Sequence, residues 1–161
     1  MKKFLYLLSH FFGAGLFPKA PGTVASLVTL LLFMGAMSFV TLSGGIVVMI
    51  LLFVANYLSI PVAVEKLKKH DPSQVVIDEV LGQFMASFLV FIILSKEALP
   101  AENLYAFVIL SFLFFRFFDI SKIFPVSYFD NLKSIHGVVL DDVVAGVMAA
   151  FSTIAVSKLF L

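Results

Sequence analysis

Long apolar runs separated by short polar connections dominate this chain. From Ala20 to Val64 no residue carries a charge. At about 1.5 Å per residue, such a run crosses a hydrocarbon core about 30 Å thick twice. Thr41-Leu42-Ser43-Gly44-Gly45 interrupts it, so the pattern predicts a first spanning helix over Val24 to Val40 and a second over Ile46 to Val64, with Pro61 in its last turn. Three shorter uncharged runs follow: Val80 to Ser95, Asn103 to Phe115 and Val143 to Ser157. Each falls short of the roughly 20 residues that a crossing needs. Each therefore has to extend through its flanking charges: Asp78 and Glu79 for the third helix, Arg116 and Asp119 for the fourth, Asp141 and Asp142 for the fifth. Charges at membrane depth cost about 2.5–3.5 kcal/mol each even on the gentler insertion scale, so they are expected to face the bundle interior and find partners.

Lysine placement orients the helices. Lys2, Lys3, Lys19, Lys66, Lys68, Lys69, Lys122 and Lys133 fall in alternate connections, against Lys96 and Lys158 in the others. The positive-inside rule makes the first set cytosolic, and every unusual polar cluster then lands on the cytosolic face. The amino-terminal MKKFLYLLSHFFGAGLF has the charge pattern of a signal peptide, but His10 interrupts its apolar stretch and no good small-x-small site follows. An interfacial helix is expected there. The predicted architecture is an all-α membrane protein, a compact bundle of about five transmembrane helices with an N-terminal interfacial helix, forming one domain over 1–161.

Composition agrees. The chain is 61% hydrophobic and 13% charged, with a mean hydropathy of +1.11, where a soluble domain carries roughly a quarter of its residues charged. No basic tract is long enough for a phosphate-backbone stripe, so no nucleic-acid partner is expected; the expected surroundings are the lipid bilayer. Without cysteine, disulfides, thiolate metal sites and cysteine nucleophiles are excluded. Any chemistry must use carboxylate, hydroxyl, imidazole or metal.

The candidate chemistry is acidic. Asp78-Glu79 opens the third helix and Asp141-Asp142 the fifth, after Gly137. An acidic first turn complements a helix dipole, but adjacent carboxylates near low-dielectric surroundings repel and call for a compensating cation or raised pKa values. Magnesium takes oxygen ligands of this kind, with waters and a substrate phosphate completing its shell. Arg116, Asp119 and Lys122, spaced by three, form one stripe on the fourth helix. They read either as an internal salt bridge or as phosphate-binding cations around a metal-binding aspartate. In Pro21-Gly22-Thr23-Val24-Ala25-Ser26, Thr23 is a candidate N-cap, and the free backbone N–H groups of a helix start there suit an anion. His10 and His70 are expected at interfacial or loop positions, whereas His136, just before Gly137, is a candidate for proton transfer.

Together, Pro21-Gly22-Thr23 with Ser26, Asp78-Glu79 with Gly82, Arg116-x-x-Asp119-x-x-Lys122 with Pro125, Phe129-Asp130, and Gly137-x-x-x-Asp141-Asp142-x-x-Ala145-Gly146 resemble the phosphatidylglycerophosphatase A family. The ordered match runs from about residue 13 to residue 150. Ala25, Ile123 and the stretch Lys133 to His136 depart from the family pattern. The resemblance implies a bacterial inner-membrane lipid phosphatase that removes the terminal phosphate of phosphatidylglycerophosphate, with Mg²⁺ required. The expected metal set is Asp78, Glu79, Asp119, Asp141 and Asp142. Arg116 and Lys122, with Thr23 and Ser26, would meet the substrate phosphate, and Asp142 or Glu79 would be the general base. The competing expectation is a small intramembrane cation transporter or channel, which would place its acids near the midplane rather than at one end of the helices beside cations.

Overall fold

A computed structural model describes residues 1–68, 72–97 and 99–159; His70, Lys69 and Asp71 lie outside the described residues. The chain is helical throughout its ordered elements: α1 (Lys2–Ser9), α2 (Pro21–Ala36, prolonged by a 3-10 turn to Phe39), α3 (Leu42–Leu67), α4 (Ile77–Leu94), α5 (Ala101–Ser121), α6 (Val126–Asp130) and α7 (Ile135–Ser157). Five of these, α2, α3, α4, α5 and α7, are long and apolar enough to cross a membrane. The protein is an all-α membrane protein, as the apolar pattern predicts.

Several boundaries move outward. The first spanning helix starts at Pro21 rather than Val24, because proline at the first helical position has its φ preset and lacks only an N–H that would be unbonded there. Thr23 is consequently inside the first turn, and Ala20, in the left-handed region with φ 50°, occupies the cap position without a side-chain bond. Ser43, Gly44 and Gly45 do not break the chain but begin α3, since Thr41 Oγ1 accepts a hydrogen bond from the Gly44 N–H at 3.1 Å and caps the helix. The fifth apolar helix begins at Ile135, capped by the Ser134 hydroxyl. Asp141 and Asp142 therefore lie well inside α7 instead of opening it. Helix α4 opens at Ile77, with Asp78 and Glu79 in its first turn, as expected.

Helix α4 is the hub, buried over most of its length and packed on α2, α3, α5 and α7. Its closest neighbour is α7. A Cβ on Gly146 would collide with the Gly82 carbonyl, and one on Gly82 would lie 2.6 Å from the Asp142 carbonyl oxygen, so the two backbones meet where neither helix carries a side chain, the small-residue contact common between membrane helices. That crossing sets the depth at which Asp142 faces α4. Helix α1 lies against α3, held by Lys2 Nζ to Glu65 at 3.1 Å and the Lys66 ammonium 3.4 Å from the Tyr6 ring centroid, and its end is tied to the start of α4 by the Val76 N–H on the Ser9 carbonyl at 2.9 Å. His10, expected at an interface or in a loop, follows α1 but is 2% exposed, its Nδ1 2.7 Å from the Tyr6 carbonyl oxygen and 2.9 Å from Ser9 Oγ.

The α4–α7 contact is testable. Gly146→Val is expected to destabilise the protein by about 1–3 kcal/mol, the usual cost of overpacking. Gly35→Ala, at a glycine whose added Cβ meets nothing within 4 Å, should stay within about 1 kcal/mol of the parent. Thermal unfolding in detergent compares the two.

Candidate active site

Alternating helix directions bring the start of α2, the start of α4, the end of α5 and the first half of α7 to one end of the bundle. There they enclose a cavity of about 330 Å³ lined by Pro21, Gly22, Asp78, Glu79, Arg116, Asp119, Lys122, Asp130, Lys133, Asp141 and Asp142, among others. Four of its aspartates are nearly buried: Asp78, Asp119, Asp141 and Asp142 are 6%, 8%, 6% and 3% exposed. Glycine at position 22 admits Glu79, whose carboxylate occupies the space that a Cβ there would need.

The acids divide into two groups. Asp119 and Asp141 are held by cations: Asp119 Oδ2 is 2.6 Å from Arg116 Nη1 and its Oδ1 3.2 Å from Lys122 Nζ, which lies 2.6 Å from Asp141 Oδ2 and 3.5 Å from Asp130 Oδ1. Lys122 can reach three acids because α5 ends there with the residue in the left-handed region, φ 48°. Burial alone would lower the pKa of its ammonium, but the facing carboxylates of Asp142, Asp141 and Asp119 outweigh burial and hold it well above the ordinary lysine value.

The second group is Asp78, Glu79 and Asp142, each offering a carboxylate oxygen, all within 4.8 Å of one another. Among the described residues no other three acids or histidines gather in this way. Glu79 Oε2 and Asp142 Oδ1 are buried and have no hydrogen-bond partner in the protein. Buried oxygens left unmatched in a like-charged cluster are costly. A small hard cation held by these carboxylates would offset their repulsion, and an oxygen-only donor set suits Mg²⁺.

All the acidic and basic residues singled out by sequence thus share one cavity. The hydroxyls and the imidazole do not. Ser26 lies behind the site, its hydroxyl donating to the Gly22 carbonyl at 2.8 Å and accepting from Arg116 Nη1 at 3.4 Å. Thr23 does not line the cavity. His136 is outside its lining too, its Nδ1 2.9 Å from the Tyr57 hydroxyl on α3. In the sequence Asp130 stands out only as part of a motif, and Lys133 only as a topological charge and the start of a stretch that departs from the family pattern; both line the cavity, brought in by α6 and the turn after it. The signal available for them was their place between Lys122 and the acidic pair of α7.

An all-α membrane protein with carboxylates and cations converging on one cavity at the end of its bundle is the class that fold and site define. The phosphatidylglycerophosphatase A family profile matches residues 7–157, and the chain belongs to that family. It is 32% identical over 153 residues to a Haemophilus influenzae protein named phosphatidylglycerophosphatase A, covering 94% of this chain and 88% of the relative. The Escherichia coli protein of the same name is 33% identical over 147 residues, 90% of this chain and 78% of that one. A Bacteroides thetaiotaomicron protein named putative phosphatidylinositol-3-phosphatase is 34% identical over 156 residues, covering 94% and 92%. No solved structure matches significantly.

The ion-pair network makes a prediction. Lys122→Met leaves Asp119 and Asp141 without their shared cation and is expected to cost about 2 kcal/mol, less than the roughly 3–5 of a fully buried pair because the Lys122 side chain is 29% exposed. Asp130→Asn, at the 44%-exposed end of the network, should cost less than about 1 kcal/mol. Chemical or thermal unfolding of the purified variants separates these outcomes.

Proposed function

We propose that this chain is a Mg²⁺-dependent phosphatase that hydrolyses the terminal phosphate of phosphatidylglycerophosphate to give phosphatidylglycerol at the cytosolic face of a bacterial inner membrane. The observation that carries the reading is the pairing, in one cavity, of three mutually close carboxylates with Arg116 and Lys122. Family membership supports the lipid substrate, and the lysines at the same end of the bundle support the cytosolic orientation.

In this mechanism Asp78, Glu79 and Asp142 hold the metal. When bound, Mg²⁺ supplies charge neutralisation at the phosphoryl oxygens and makes water more acidic. Arg116 and Lys122 face the phosphate and stabilise the negative charge that grows on its oxygens. Asp119, bonded to both cations, fixes their positions, and Ser26 steadies Arg116 from behind. Glu79 or Asp142 takes the proton of the attacking water. Water oxygen bonds to phosphorus, the bond from phosphorus to the glycerol oxygen breaks, and that oxygen leaves with the electron pair and is protonated. Inorganic phosphate and phosphatidylglycerol result, without a phosphoenzyme. Thr23 and His136 act outside the contacts of this step: Thr23 sits in the first turn of α2, and His136 is tied to Tyr57.

Phosphate release from phosphatidylglycerophosphate by the purified protein should disappear in EDTA and return with added Mg²⁺. Asp142→Asn and Glu79→Gln should each lower kcat by about 100-fold or more, the range for loss of a general base, while His136→Ala stays within about three-fold of the parent. Full activity in EDTA or in Asp142→Asn would overturn the metal mechanism. Because one relative carries the name of a phosphatidylinositol-3-phosphatase, phosphatidylinositol 3-phosphate belongs in the same assay. A higher kcat/KM on it would replace the assigned headgroup while keeping the site.

A further inference from the structure

A second cavity, of about 410 Å³, opens on the side of the bundle between α2 and α3. These helices are consecutive but scarcely touch; each packs instead on α4, which floors the space with Val80 and Phe84. Its walls are Leu32, Phe33 and Ala36 of α2 and Val48 and Leu52 of α3, and its far end is Thr41 and Gly44. The two hydroxyls at its margin are engaged internally, Thr29 with the Ala25 carbonyl at 2.8 Å and Thr41 with the Gly44 N–H at 3.1 Å. Its lining offers no charged or amide side chain to a headgroup or a hydrated ion.

We propose that this groove holds one acyl chain of the same phospholipid whose headgroup phosphate enters the acidic cavity. The inference rests on the function proposed above and extends it to the lipid tail. Three observations select this occupant. The groove lies within spans whose outer surface meets hydrocarbon, with Leu32 and Val48 61% and 41% exposed, so a flexible apolar chain is what that medium offers. It shares both of its inner helices with the acidic cavity: α2 contributes Gly22 to one and Thr29 to the other, and α4 contributes Glu79 to one and Val80 to the other. From Gly22 to Thr29 is about 10 Å along a helix, a separation suited to a phosphoglycerol headgroup. From Thr29 to Val40 is about 16 Å more, room for most of an acyl chain. The tail thereby anchors the substrate so that its terminal phosphate is presented to Arg116 and Lys122.

The chain contains no cysteine, so Val48→Cys carries a single fluorophore in the groove. Quenching of that label by phosphatidylglycerophosphate bearing a nitroxide on its acyl chain should exceed quenching by equally labelled phosphatidylcholine. Equal quenching by the two lipids would show bulk lipid in the groove and overturn the proposal, and this readout needs no turnover. In parallel, Ala36→Phe/Val48→Phe is expected to lower the ratio of kcat/KM for the dipalmitoyl substrate to that for the dihexanoyl substrate by about ten-fold, since filling the groove removes apolar burial available mainly to the long chain. An unchanged ratio between the two substrates in a variant that melts like the parent would also overturn it. If the wild type releases no phosphate from either substrate yet the labelled Val48→Cys protein is quenched selectively, the phosphatase reading fails and the acyl groove stands.

Discussion

Acidic side chains drawn into the low-dielectric end of a membrane bundle repel one another, and the whole arrangement depends on cations that offset that repulsion. Lys122 and Arg116 provide the part that the chain itself supplies. Lys122 bridges Asp119 and Asp141, while Arg116 takes the other oxygen of Asp119. Burying a charge costs several kcal/mol, and a pair recovers that only with close geometry. Short contacts on both sides of Asp119 meet the requirement. They also tie the end of α5 to the first half of α7, so the electrostatic solution doubles as a structural clasp.

The compensation of the remaining acids is incomplete. Asp78, Glu79 and Asp142 converge with two oxygens unmatched, and what brings them together is packing. Gly82 and Gly146 let α4 and α7 approach until a side chain on either would strike the other helix. Gly22 makes the equivalent concession to Glu79 from α2. Three missing side chains thus create the cluster. A protein that merely needed acidic first turns for its helix dipoles would not gather them from separate helices beside a guanidinium. In the proposed function, a divalent cation and a phosphate ester would complete the electrostatics that Lys122 and Arg116 begin.

The apolar side of the molecule has a matching logic. Because α2 and α3 both lean on α4 rather than on each other, the bundle leaves a cleft open to lipid along helices that also carry the site. A substrate with a charged end and a long hydrocarbon end would meet both surfaces on the same two helices. The proposed acyl groove and the acidic cavity are consequences of one packing decision, the central placement of α4.

Most of the architecture was legible in the residues. The uncharged stretch from Ala20 to Val64 and the charge-flanked runs after it required five crossings, since hydrocarbon tolerates no unpaired backbone except in helices or closed barrels. The same runs identified Asp78, Glu79, Arg116, Asp119, Lys122, Asp141 and Asp142, because charges that costly have to serve a purpose inside the bundle. Helix ends were less legible: Pro21 and the Ser134 and Thr41 caps extend helices beyond the positions where hydrophobicity alone starts them. Which acids form close ion pairs with Arg116 and Lys122 was beyond the sequence, as was the contact of His136 with Tyr57. Local patterning determines where a helix lies and what it must hide, since those follow from each residue's transfer energy. Only the approach of separate helices, through contacts such as Gly82 against Gly146, decides which hidden groups come within reach of one another.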